Sequence, residues 1–164
     1  MNSDLKIITQ AINTKMLVYS DQLIAPDQTG FIPRRQIATN ILTIQTIFIQ
    51  SKLFNSMPVP PRLQDVNMLS IDFEKAYACL SREFIIRTLY HFGFHKSLID
   101  AIVESLNYTF SQALINGHIG PLFQIHTGVI QGDPLSPLIF ALTLEPLLVN
   151  LRKIPNPISI EHQF

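Results

Sequence analysis

Gln131-Gly132-Asp133-Pro134-Leu135-Ser136-Pro137-Leu138 reads as a glycine bend feeding a helix. Proline near the first helical position costs nothing, because its missing amide hydrogen would have no partner there. Asp133 is placed to cap that helix, which the sequence predicts from Pro134 to Arg152 with a bend at Pro146. Between Pro134 and Leu151 the only charge is Glu145. Three prolines and a length short of a bilayer make this a buried core helix rather than a membrane span.

Upstream of the bend, Ser111 to Ile115, the turn signal Asn116-Gly117 and Leu122 to His126 predict two antiparallel strands joined by a slightly longer loop. A helical pair precedes them. Ser81 caps the first member, whose inner face is Phe84, Ile85, Thr88, Leu89 and Phe92, and Gly93 closes it. Ile99, Ile102, Val103 and Leu106 line the second, from Ser97 to about Tyr108. Val66 to Ile71 is apolar enough for a central strand that delivers Asp72 at its end. Ser56 to Asp65, with Pro58, Pro60 and Pro61, is an irregular connection.

Near the start, Leu5, Ile8, Ile12, Met16, Tyr19 and Leu23 recur at helical spacing behind Ser3, and this helix ends before Pro26. Asp27 to Arg35 is a loop. Gln36 to Phe54 is a second helix, with Ile37, Ile41, Ile44 and Phe48 on one side and Leu42, Ile49 and Leu53 widening the stripe. That width predicts burial against more than one neighbour. Ile154 to Phe164 is expected to fray.

The chain has 164 residues, of which 47% are hydrophobic and eleven are phenylalanine, enough for one real core. Twelve basic and twelve acidic residues cancel, so no global field holds a polyanion, which argues against autonomous nucleic-acid binding. Cys79 is the sole cysteine, so no internal disulfide is possible and a reducing interior is the default. The first residues show no signal peptide. His91, His95, His118, His126 and His162 have no zinc-like spacing, and there is neither a phosphate loop nor a dinucleotide fingerprint.

Phosphoryl transfer onto a primer end needs two divalent cations about 4 Å apart, held by hard oxygen ligands. Asp72 at a strand end supplies one carboxylate, while its neighbour Phe73 offers only a backbone carbonyl. Taken alone, Asp72 is a turn or cap residue, Glu74 and Lys75 are solvated, and Tyr77 is core. Their order carries more: Asp72-Phe73-Glu74-Lys75-Ala76-Tyr77 resembles the first catalytic motif of the reverse transcriptases of non-LTR (LINE-type) retrotransposons. Gly128-Val129-Ile130-Gln131-Gly132-Asp133-Pro134-Leu135-Ser136-Pro137-Leu138 resembles that family's second motif. Asp27-Gln28-Thr29-Gly30-Phe31-Ile32-Pro33-Arg34-Arg35-Gln36 resembles its fingers segment. The resemblance covers roughly Asp4 to Leu151 in order.

The resemblance implies an α+β fold, a partial right-hand polymerase with fingers helices at about 1–65 and the first half of the palm at 66–154. It implies RNA-templated DNA synthesis by the intact family, with an RNA template, a DNA primer and dNTPs as partners and Mg2+ as cofactor. Asp72 would be the catalytic metal ligand and Tyr77 the bulky gate that selects deoxyribose. Phe73, Tyr77, Arg35, Gln131 and Gly132 would line the nucleotide and template pocket. The chain departs from the pattern at Ala78, where the family commonly has an acid, and at Arg34, where glycine is usual. An aromatic-alanine-aspartate-aspartate turn, which completes the metal site in the family, does not occur here, and neither Glu145 nor Glu161 lies in a comparable turn. The expectation is therefore a truncated domain, inactive as given, whose open palm a protein partner could cover. The rivals are a non-enzymatic helical interaction domain and a decayed gene product. An intracellular setting is expected, with no choice between nucleus and cytoplasm.

Overall fold

Ser81 and His95 start the two helices around which the core assembles. In this computed structural model, which describes residues 3–54 and 69–154, the Ser81 hydroxyl accepts the Phe84 amide at 3.3 Å and opens α4, Arg82–His91. His95 does the same for α5, Lys96–Asn107, accepting the Ser97 amide at Nδ1. Between them Gly93 takes φ +79°, and Phe94 donates back to the Leu89 carbonyl at 3.1 Å, a left-handed helix stop that glycine adopts without strain. Ile85, Leu89 and Ile102 have essentially no exposed surface. Burying each contributes about 1.5–3 kcal/mol.

Onto this pair packs α6, Ser136–Arg152, with Leu138, Ile139, Ala141, Leu142, Thr143 and Glu145 all buried. The low charge of its sequence anticipated that burial, although Leu147 and Val149 near its end remain exposed. It starts later than expected: Leu135 is the cap residue, and Pro137 rather than Pro134 occupies the first turn. Asp133 is not the cap residue, since the helix starts at Ser136 behind Leu135 with no side-chain cap bond, and the Asp133 side chain is buried. Pro146 lies inside the helix. From the N-terminal side, α1, Ser3–Leu17, adds Met16 to the core, and the short α2, Ser20–Leu23, leads into buried Ile24.

The β structure is slight and mixed with the helices in an α+β arrangement. β1, Phe110–Ser111, pairs antiparallel with β4, Phe123–Gln124, and β2, Leu114–Ile115, pairs with β3, His118–Ile119. Ile115 faces His118 across Asn116 at φ 50° and Gly117 at φ 81°, the two left-handed residues that a tight two-residue hairpin requires. The turn is thus tighter than the longer loop expected.

Two expectations are corrected. Residues 69–72 join no strand among the described residues, and Leu69 and Ile71 stand 81% and 55% exposed. A strand needs a neighbour for its amides and carbonyls, and each of the two ladders described pairs only two strands, neither of them from this segment. The helix α3, Ile37–Phe54, forms as expected, but Ile37, Ile41, Leu42, Ile44 and Ile49 are exposed. Its half-buried positions are Asn40, Thr43 and Ile47, and the Asn40 side chain bonds the Asp27 carbonyl at 3.1 Å. The irregular connection expected from Ser56 to Asp65, the first half of the strand expected from Val66 to Ile71, and all but Ile154 of the expected frayed tail lie outside the described residues.

Candidate functional site

The bend before α6 and the turn after Asp72 are laced together by backbone. Gly128 donates to the Leu80 carbonyl at 2.8 Å and Val129 to the Tyr77 carbonyl at 2.9 Å. A side chain at 128 would not allow this: a Cβ built there would lie 2.4 Å from the Tyr77 carbonyl oxygen and 2.8 Å from the Ala78 Cα, and Gly128 also has φ +79°. The Ser136 hydroxyl then donates to the Ile130 carbonyl at 2.7 Å, tying the bend to the first turn of α6. Gln131 and Gly132 are left exposed at the crest, Gly132 with φ +79° and open space where a Cβ would point.

Asp72 is exposed and sits five residues ahead of Tyr77. Tyr77 is half-buried, its ring 5.3 Å from that of Phe140, and burial raises its hydroxyl pKa so that the phenol stays protonated. Phe73 meets the same Phe140 edge-on at 6.5 Å. Phe140 is therefore the residue that gathers two of the site candidates, and nothing in the sequence set it apart from other apolar positions of its helix. Behind this aromatic trio a cavity of about 270 Å³ opens between the turn, α4 and α6, lined by Phe73, Leu80, Phe84, Phe140, Leu144 and Leu147 among others.

Arg35 has a different environment from the phosphate contact the resemblance implied. Its Nη1 donates to the Ala25 and Gln28 carbonyls, and its Nη2 to the Ile24 carbonyl and to Asp21, with the side chain only 14% exposed. A guanidinium fork fits carbonyls as well as phosphates, and here it shapes its own loop. Arg34 is the outward residue, its side chain 83% exposed and paired with Asp21 at 2.6 Å. It keeps φ +65°, the left-handed angle suited to the glycine usual at this position.

The donor set does not fit a pair of divalent cations. Asp72 is exposed, and among the described residues no group of three or more His, Cys, Asp or Glu side chains converges. Among the described residues, too, no helix is long and apolar enough to cross a membrane.

With this geometry in place, comparison with known proteins is decisive. Residues 1–163 match the family described as reverse transcriptase (RNA-dependent DNA polymerase). The chain belongs to the reverse transcriptase family. Among the relatives of this reverse transcriptase chain is the retrovirus-related Pol polyprotein from the type-1 retrotransposable element R2 of Popillia japonica. It is 32% identical over 85 residues, covering 52% of this chain and 14% of the relative. The transposon TX1 149 kDa protein of Xenopus laevis is 27% identical over 153 residues, 93% of this chain and 11% of that protein. The Pol polyprotein from the type-2 element R2DM of Drosophila melanogaster is 30% identical over 135 residues, 82% and 12% respectively. The reverse transcriptase chain thus spans a small part of these relatives, between 11% and 14% of their length.

Proposed function

We propose that this chain is the fingers-helix and first-palm part of a template-directed DNA polymerase, which contributes half of a nucleotide site and does not polymerise alone. What supports the reading is the backbone lacing of Gly128 and Val129 onto Leu80 and Tyr77, which joins the segments resembling the family's first and second motifs. In this reading residues 3–54 belong to the fingers and 69–154 to the palm. Asp72 is the first metal carboxylate, Tyr77 with Phe73 forms the wall against the incoming sugar, and Gln131 and Gly132 form the rim that meets nucleotide and template. Arg35 enters as the residue that shapes the fingers loop. RNA template, DNA primer and dNTPs are the partners of the whole polymerase, and Mg2+ is its metal. One exposed carboxylate holds neither ion well, and this chemistry depends on charge stabilisation and positioning.

Primer extension on an RNA template, with Mg2+ and dNTPs, should yield no product above a D72A control. A parallel anisotropy titration of a recessed RNA–DNA hybrid should show weak, salt-sensitive binding, with Kd between about 10⁻⁴ and 10⁻⁶ M. Processive extension would sink the first half of the proposal, and a hybrid ignored at low salt would sink the second. A non-enzymatic interaction domain is the second reading, favoured by the open cavity between α4 and α6. Stable one-to-one capture of a protein partner by a chain indifferent to the hybrid would establish it.

A further inference from the structure

Arg152, in the last turn of α6, reaches two carboxylates at once. Its Nη1 donates to Glu145 Oε1 at 2.8 Å, and its Nε and Nη2 form a fork on Asp27 at 3.0 and 2.5 Å. The Glu145 side chain is only 6% exposed, and its Oε2 is buried with no hydrogen-bond partner among the described residues. Arg152 is itself two-thirds buried. A surface ion pair with this connectivity would count for little, but here one carboxylate is taken out of water and depends on that guanidinium. The other arm lands 125 residues away.

Asp27 is also where α3 attaches, through the Asn40 amide donating to the Asp27 carbonyl at 3.1 Å. Arg35 ties the carbonyls of Ile24, Ala25 and Gln28 within the same loop. The loop is therefore braced internally by Arg35, from α3 by Asn40 and from α6 by Arg152. Only the last of these braces connects it to the helix that begins at the Gln131–Gly132 bend.

We propose that Arg152 is a positioning residue that clamps the 25–35 loop to α6 and so sets the loop's register relative to the bend at the helix's other end. Its bearing on template contact rests on the polymerase reading above; the clamp itself does not. Helix α6 acts as the rigid spacer, and the buried Glu145 keeps Arg152 from swinging away with the loop. Restraint of the loop then includes a contribution from α6, added to the loop's own hydrogen bonds and its buried Ile32.

Hydrogen exchange on the full chain tests this, comparing wild type with R152Q, D27N, the double variant and R152K. The informative amides are Gln28 and Arg35, which donate to Ala25 and Ile32 at 3.1 and 3.2 Å. R152Q and D27N should each speed their exchange about tenfold, with the double variant no faster than either and R152K recovering part of the protection. Phe92 and Ile99 amides, in the α4–α5 pair, should be unchanged. Unchanged loop exchange, equal acceleration in the loop and the helical pair, or additive single effects would each overturn the clamp. Should R152Q fail to fold, D27N decides alone, because Asp27 is 61% exposed and its loss leaves no buried charge. In the hybrid titration, R152Q should bind several-fold more weakly than wild type. A wild type that ignores the hybrid while loop exchange behaves as expected overturns the polymerase reading and sustains the clamp.

Discussion

Gly128 shows how one residue can hold two distant segments together. Its amide and that of Val129 carry the bonds to the turn after Asp72, and the space a Cβ would need is filled by the Tyr77 carbonyl and the Ala78 backbone. G128A should therefore destabilise the chain by about 3 kcal/mol or more, since it combines a left-handed alanine with a backbone clash. G117A shares the positive φ but meets open space, and should cost only about 1–2 kcal/mol. Urea unfolding of both variants checks this, and equal losses would show that φ rather than close approach dominates at 128. The glycine itself was visible in the sequence as part of a motif. Its reason, contact with a segment fifty residues earlier in the chain, was not. Arg35 went the other way: a basic residue on a loop suits a phosphate by type, and only the fold revealed four internal acceptors around it.

Between α1 and the start of α6, Asp133 is 6% exposed, and burial raises its pKa. Thr9, the Leu135 amide and the Ser136 hydroxyl favour the charged form but do not outweigh the loss of water. A carboxyl raised in the fold binds its proton more tightly folded than unfolded. Its contribution is then greatest below the ordinary aspartate value and is lost as pH rises through the higher folded value. D133N removes that dependence, so urea midpoints of wild type and D133N should diverge in favour of asparagine between pH 4 and pH 7. Wild type gaining on D133N over that range would contradict the assignment. Capping was read correctly where the chemistry is local: Ser81 and Gly93 bound α4 because a hydroxyl and a left-handed glycine act within one turn. It was misread at Asp133, because burial against α1 is not a local property.

Among the described residues, exposed apolar side chains gather on α3, on the hairpin region from Tyr108 to Phe123 and around the cavity between α4, α6 and the Phe73–Leu80 turn. Patches of this kind mark surfaces that other protein covers. The chain should accordingly sediment with concentration-dependent association. L147K, which places a charge at a 41% exposed position in the cavity wall, should reduce that association without lowering the unfolding midpoint. Sedimentation indistinguishable between wild type and L147K would remove the cavity as the sticky surface. Helical spacing, caps and turn residues by themselves determined the helical pair, the body of α6 and the Asn116–Gly117 turn, and the resemblance of three short motifs pointed to the family, because each is written within a few consecutive side chains. Tertiary structure alone decided that residues 69–72 join no strand among the described residues, that most of the wide stripe of α3 stays exposed, that Phe140 gathers Phe73 and Tyr77, and that Arg152 reaches Asp27. Those outcomes depend on which neighbour is present in space. A periodic pattern can show that a face is apolar, but it carries no record of what, if anything, lies against it.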